Sequence, residues 1–123
     1  MDECVTLDMG ATFILLHNKD LLVKPRKAEN PIQMRMNVGT RKIDKISNIP
    51  GMDSTIWYNE KSMANIFSFG DLVDKYHITY DSSKEDAFYL HGESKTIKFP
   101  RCREGLYFHR FNDGYKEHVK KLN

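Results

Sequence analysis

The stretch VTLDMGATFILL, residues 5–16, decides how the rest of the chain is interpreted. It contains two β-prone runs, CVTL and TFILL, joined by a short segment in which Gly10 permits a tight bend. Asp8 stands at the end of the first run, where a buried carboxylate costs free energy unless it is compensated. We therefore predict strand, turn and strand, with Asp8 acting either as a turn-capping residue or as half of a catalytic site.

Length and composition indicate one globular domain. The chain has 123 residues, of which 40% are hydrophobic and 29% charged, a balance typical of a soluble protein with one small core. The formal net charge of +2 lies too near neutrality to make nucleic acid the main expected partner.

Targeting signals and cysteines indicate the compartment. No apolar run approaches the roughly 20 residues that span a bilayer. Asp2 and Glu3 stand where a secretory signal carries basic residues. We therefore expect a cytoplasmic protein without membrane contact, in which the distant Cys4 and Cys102 stay reduced.

The segment after the opening stretch predicts a helical turn, a loop and a strand. HNKDLLV predicts one helical turn with Asn18 as its N-cap. PRKAENP is interpreted as a surface loop bounded by two prolines. Residues 32–38 alternate apolar and polar side chains, which predicts a half-buried strand.

The middle of the chain contains a predicted strand and the one predicted α-helix. STIWYN is strand-like, with Trp57 expected in the core. Ser68 is followed three residues later by Asp71, an acidic variant of the capping box that predicts a helix near residues 68–75.

The remaining sequence predicts a run of hairpins. Four strand-like segments follow one another with polar turns between them, which indicates an antiparallel sheet or a small barrel: YHITYD, AFYLH, TIKF and GLYFHRF. Residues 112–123 are interpreted as an exposed C-terminal tail. The predicted fold is mainly β, a small closed or nearly closed barrel with one short helix.

Three segments carry a resemblance to a known family. LDMGATFILLHNKDLL resembles the protease start of copia-type retrotransposon Pol polyproteins. IWYNEKSMANIFSFGDLVDKYHITYDS is similar to the family segment in which a short strand leads into an N-[ILV]-[LF]-S motif and a helix, and DAFYLHGESKTIKFPRCREGLY resembles its final hairpins. The resemblance spans residues 5 to about 110 and implies a retropepsin-like β-barrel domain, here residues 1–111, within a polyprotein of which this chain is an isolated domain or a fragment.

The resemblance implies an aspartic endopeptidase that processes its own polyprotein, a hydrolase that needs no cofactor. Asp8 is the implied catalytic residue, and the implied active-site turn is Met9, Gly10, Ala11 and Thr12. Two carboxylates must share one proton in such a site, so a chain with one half-site is expected to act as a homodimer. The implied substrate is an extended polypeptide that binds by β-strand addition.

One departure from the family leaves the enzymatic activity open. The middle position of the triplet is usually Ser, Thr or Asn, whereas Met9 has no hydroxyl for the network that braces the two aspartates. The alternatives are a non-catalytic β-barrel interaction module left over from a retroelement and a weak RNA-binding barrel.

The segment GTRKIDKISNIPG is interpreted either as a flap over the substrate or as an ordinary surface hairpin. The flap residues would be Gly39, Ile43, Ile46 and Gly51.

Other side-chain groups indicate no further site. The five histidines lack the spacing of metal ligands, so no metal site is expected. The basic groups KPRK, RKIDK and KEHVKK are interrupted by acidic residues or proline and are interpreted as solvated faces. RNA contact is therefore expected to be weak or absent.

Overall fold

The computed structural model describes residues 2–36 and 39–123 and confirms a mainly β chain. The ten strands are β1 (Cys4–Asp8), β2 (Leu15–Leu16), β3 (Val23–Met36), β4 (Gly39–Asn48), β5 (Ile56–Tyr58), β6 (Asn65–Ser68), β7 (His77–Tyr80), β8 (Ala87–His91), β9 (Thr96–Pro100) and β10 (Tyr107–Arg110). The helices are α1 (Phe69–Lys75), α2 (Asp113–Leu122) and a 3₁₀ turn at Lys19–Leu21.

The strands form two sheets. The larger has seven strands in the order β10-β1-β6-β2-β5-β4-β3, and the smaller has three in the order β7-β8-β9. β1 pairs in parallel with β6 and antiparallel with β10, whereas β2 pairs antiparallel with β6 and in parallel with β5. The first two strands thus lie on either side of β6, which comes about 50 residues later in the sequence.

The predicted closed barrel is wrong for the part of the chain that the structure describes. β9 lies beside β10, but the links between them are one isolated bridge, Arg101–Tyr107, and a 3.1 Å hydrogen bond from His109 Nδ1 to the Lys98 carbonyl. At the other edge of the large sheet, Pro25 and Pro31 in β3 have no N–H to offer a further strand. The two sheets therefore stay separate.

One hydrophobic core joins the two sheets. Val5 and Leu7 of β1 alternate with half-buried residues, and Ile97 and Phe99 of β9 alternate with exposed ones. The rings of Phe67 and Phe99 meet edge to face with centroids 6.1 Å apart. Because such contacts come from both sheets, the core depends on their packing rather than on ring closure.

The predicted single helix is corrected by a second helix at the C-terminus. Residues 112–123, interpreted as an exposed tail, contain α2, most of whose side chains are indeed exposed. Val119 is buried, and the Tyr115 hydroxyl donates to the Leu21 carbonyl at 2.6 Å. Asn123 accepts from the Lys24 N–H and donates to the Leu22 carbonyl. These contacts attach α2 to the 3₁₀ turn and the start of β3.

Several local predictions are confirmed. Asn18 caps the 3₁₀ turn by accepting from the Asp20 N–H at 3.0 Å. α1 begins directly after Ser68, and its side chain accepts from the Asp71 N–H at 3.1 Å. The expected core position of Trp57 is corrected, because its side chain is half-buried whereas Ile56 and Tyr58 on either side of it are buried.

The predicted loop PRKAENP is wrong, because these residues belong to β3. Two register shifts interrupt the pairing of β3 with β4, one between Val23 and Arg26 and one between Lys27 and Ile32. Proline is tolerated here because β3 is an edge strand. The predicted strand at residues 32–38 belongs to β3 as far as Met36, and residues 37 and 38 lie outside the described residues.

Candidate functional site

The opening stretch forms β1 and β2, which run antiparallel to each other with β6 between them. β1 ends at Asp8, the connecting loop spans residues 9–14, and β2 returns on the far side of β6. The parallel register pairs Asp8 with Ser68, so the last residues of β1 and β6 lie side by side at one edge of the sheet. This edge is where the loop, Asp8 and the start of α1 come together.

Asp8 is half-buried, and its own turn satisfies one of its oxygens. The N–H of Gly10 donates to Asp8 Oδ1 at 2.8 Å. Gly10 does not adopt a positive φ, and a Cβ built on it would lie 3.5 Å from Asp8 Oδ1, an ordinary contact. The turn therefore needs the Gly10 N–H more than the absence of a side chain.

Ser68 ties the Asp8 loop to α1. Its side chain is buried, and its Oγ donates to the Ala11 carbonyl at 2.8 Å while accepting from the Asp71 N–H. One hydroxyl thus holds the centre of the loop and caps the helix. The capping box was readable in the sequence, but the contact with Ala11 was not, because the two residues are 57 positions apart.

Asn65 fixes the other end of the same strand. Its amide nitrogen donates to the carbonyls of Asp2 and Cys4, at 2.8 and 3.1 Å. Its Oδ1 accepts from the N–H groups of His17 and Asn18, at 2.9 and 3.3 Å. A buried amide with all four bonds made holds the N-terminus and the segment after β2 against β6. Sequence reasoning singled out only the motif that contains Asn65, not these partners.

The rest of the predicted turn is open to solvent. Ala11 is half-buried and Thr12 is exposed. Met9 is 58% exposed and Phe13 is 37% exposed, so two large apolar side chains of the loop that follows Asp8 lie at the surface. The Phe13 ring also meets the Trp57 ring edge to face, with centroids 6.5 Å apart.

Among the described residues, two neighbouring cavities share lining residues, and Asp8 lines neither of them. The smaller has about 270 Å³ and is lined by Thr12, Phe13, Ile14, Thr55, Trp57, Asp71 and Lys75. The larger has about 560 Å³ and shares Thr55 and Lys75 with it. Its wall also includes Ser54, whose buried Oγ has no hydrogen-bond partner in the described part of the chain.

The predicted flap segment does not form a hairpin by itself. Gly39 and Ile43 belong to β4, Ile46 of the same strand lines the larger cavity, and Gly51 lies in the following turn with φ +83°. Ile43 is buried and lies opposite Ile32 of β3. The hairpin is therefore formed by β3 with β4, and the predicted segment is its returning strand.

A carboxylate that sequence reasoning missed links β7, β8 and β10. Asp86 accepts from the hydroxyls of Tyr107 and Tyr80 at 2.7 Å each, and Arg101 pairs with it at 3.2 Å. These groups, the Tyr107 hydroxyl most strongly, hold the pKa of Asp86 below its usual range. No local motif marks this residue, because its partners come from three separate segments.

Histidines also come together across strands. His77 pairs in register with His91, and their ring centroids are 5.4 Å apart. His91 Nε2 is engaged with the Thr79 hydroxyl at 2.8 Å. Within residues 2–36 and 39–123, no group of three or more His, Cys, Asp or Glu side chains has the geometry to hold a metal ion.

Comparisons with protein-family models, with curated proteins and with solved structures found no match for this chain. Over the described ranges, no helix is both long enough and apolar enough to cross a membrane.

Proposed function

We propose that this chain is a retrotransposon-derived aspartic endopeptidase domain, active as a homodimer with one Asp8 from each protomer. The observation that carries the proposal is the position of Asp8. It ends β1 beside the end of β6, on a loop that Ser68 anchors, and its carboxylate is only half-buried. A strand end next to an anchored loop holds a carboxylate rigidly and leaves it accessible to a partner.

The chemistry follows from two like charges at close range. Two carboxylates about 3 Å apart cannot both ionise, so the pair shares one proton. The ionised aspartate takes a proton from water, and the water oxygen attacks the peptide carbonyl while the protonated aspartate donates to the carbonyl oxygen. The C–N bond then breaks, and the amine leaves with a proton. Water is the only co-reactant.

Exposed apolar side chains around Asp8 support the dimer. Met9 and Phe13 present a surface that a second copy would cover. In this proposal the Met9 side chains of two protomers pack against each other where the family uses a hydroxyl network. The substrate is an extended polypeptide of the parent polyprotein, and the β3–β4 hairpin is the proposed flap, with Ile43 and Ile46 in its returning strand.

The test is cleavage of a mixed-sequence peptide library at pH 4 to 6, with sedimentation to report the oligomeric state. We expect wild type to cut, Asp8→Asn to abolish cutting and Asp20→Asn, an exposed matched control, to leave it unchanged. A statine-type transition-state mimic should inhibit the reaction. Cutting by Asp8→Asn would overturn the proposal.

Met9 favours one other function, a non-catalytic β-domain that serves as an interaction module. The comparison of wild type with Met9→Thr separates the two. If only Met9→Thr cuts, the fold is a protease disabled at the brace between its aspartates. If neither cuts while both remain folded and monomeric, the interaction module is the function.

A further inference from the structure

We propose that the β3–β4 hairpin is a basic ribbon that binds nucleic acid through its phosphates. The ribbon is defined by five cations, Lys27 and Arg35 on β3 and Arg41, Lys42 and Lys45 on β4. The same hairpin is the proposed flap of the protease, but this inference rests on its five exposed cations and uses neither the flap residues Ile43 and Ile46 nor the groups around Asp8.

The charge of the molecule is divided unevenly. Residues 23–48 contain seven of the 19 Lys and Arg residues but only two of the 17 Asp and Glu residues, which gives this segment a net charge of +5. The remainder of the chain therefore has a net charge of −3, and the overall +2 conceals the division. Association with a polyanion depends on the local potential rather than on net charge.

The pairing of β3 with β4 brings together two basic groups that are separate in the sequence. KPRK lies on β3 and RKIDK lies on β4, and the antiparallel register sets Lys27 directly opposite Lys45. Like charges directly opposite each other destabilise a sheet pair. A bound anion would remove this repulsion.

The five cations are available for a partner. All five side chains are exposed. In the described part of the chain, none of them forms an ion pair or a side-chain hydrogen bond, in contrast to Arg101 and Arg110 elsewhere. Within residues 2–36 and 39–123, no ion pair or side-chain hydrogen bond would have to break before these cations engage a ligand.

Part of the ribbon consists of two strands. β5 pairs only with residues 45–47 of β4, so within the described chain residues 39–44 pair with β3 alone, and Lys27 and Lys45 lie at the base of this two-stranded part. Alternation places Arg41 and Lys45 on one face and Arg35 and Lys42 on the other. A two-stranded β-ribbon fits a nucleic-acid groove, where phosphates lie on both sides of it.

An acidic polypeptide is a poorer fit to this surface. Peptide recognition by a strand edge relies on pockets for alternate side chains. The apolar Ile32 and Ile43 face each other in register, and Pro25 and Pro31 interrupt the free edge of β3. The ribbon thus offers charge on both faces rather than apolar anchoring.

The test measures binding of a fluorescein-labelled 20-nucleotide RNA of mixed sequence by anisotropy at 50, 100 and 200 mM KCl. Four phosphate contacts to a single strand predict about a 50-fold loss of affinity across this range, since each contact adds about −0.7 to the log–log slope. A 20-base-pair DNA duplex in parallel shows whether a groove is preferred to a single strand.

Matched variants assign the site. Lys27→Gln/Lys42→Gln/Lys45→Gln should make the slope shallower by about 2 and weaken binding more than tenfold at 50 mM salt. Lys61→Gln/Lys84→Gln/Lys120→Gln removes the same charge from exposed positions elsewhere and should leave the slope unchanged. Circular dichroism checks that both variants fold.

Three results would overturn the proposal. The first is that the RNA does not bind at 50 mM KCl. The second is that the two triple variants lose the same amount of RNA affinity. The third is that a polyglutamate peptide binds as tightly as the RNA, which would make an acidic polypeptide the occupant. Asp8→Asn, in which the ribbon is intact, reports separately on the protease function and should bind the RNA as wild type does.

Discussion

The strands around Asp8 and the β3–β4 ribbon use polar side chains in opposite ways. Asn65 and Ser68 are buried, and each satisfies backbone groups that come from distant parts of the chain. Lys27 and Lys45 are exposed and oppose each other, and neither side chain forms an ion pair or hydrogen bond among the described residues. In the first region buried polar side chains stabilise the fold through hydrogen bonds, and in the second region charged side chains are exposed to solvent. Substitutions should therefore affect stability in the first region and ligand binding in the second.

The largest effect is expected at Asn65. Asn65→Ala leaves two N–H groups and two carbonyls without their partner, and we expect the free energy of unfolding to fall by about 3 kcal/mol or more. Urea denaturation measures the change. Asn65→Asp keeps the acceptor but loses both donors, so it should destabilise nearly as much. If Asn65→Ala lowers the free energy of unfolding by less than Lys42→Gln does, the contrast between the two regions is contradicted.

A smaller loss is expected at Ser68. Ser68→Ala removes the cap of α1 and the hydrogen bond to the Ala11 carbonyl, which should lower the free energy of unfolding by about 1–2 kcal/mol. Ser94→Ala, at an exposed turn, is the control and should be neutral. Because the Asp8 loop loses its anchor, amide exchange at Ala11 and Thr12 should also accelerate. Unchanged exchange there would show that Ser68 serves only the helix.

The strands around Asp8 should also make the stability of the fold depend on pH. Burial, and to a smaller extent Lys95, lower the pKa of His109, and the Lys98 carbonyl opposes them. The folded state therefore binds fewer protons than the unfolded state, so stability falls as pH drops through the unfolded value of about 6.5.

Denaturation midpoints at pH 7.5 and 5.5 measure the effect. His109→Gln should reduce the difference between the denaturation midpoints measured at the two pH values. His118→Gln, on the exposed side of α2, should leave that difference unchanged. Carboxylates with lowered pKa values, such as Glu3, Glu85 and Asp86, lose their contribution only below about pH 4.5 and lie outside this window. An unchanged difference in His109→Gln would exclude this histidine as its source.

The smallest effect is expected in the ribbon itself. Lys45→Glu converts the cross-strand pair with Lys27 from repulsive to attractive, which should raise the free energy of unfolding by about 0.5 kcal/mol. The gain should shrink at high salt, since the pair is exposed. A double-mutant cycle with Lys27→Gln isolates the pair. If Lys45→Glu raises the free energy of unfolding equally in the Lys27→Gln background, position 45 interacts with a group other than Lys27.

Short-range patterns in the sequence determined much of the local structure. Asn18 and Ser68 cap the helical segments that follow them, because a cap needs only residues two or three positions away. Strand-like runs separated by polar turns predicted β7 to β10, and β9 shows burial with a period of two. The spacing of Tyr115 and Val119, four residues apart, was an available signal for α2 that the tail interpretation ignored.

Tertiary structure decided what depends on distant partners. Pairing of β3 with β4 turned two ordinary basic groups into one ribbon, and insertion of β6 between β1 and β2 supplied the partners of Asn65. The strands form two separate sheets, whereas the sequence predicted a closed or nearly closed barrel. Strand register and the partners of a buried amide involve residues tens of positions apart, so no local pattern encodes them, whereas caps and alternation are complete within a few residues.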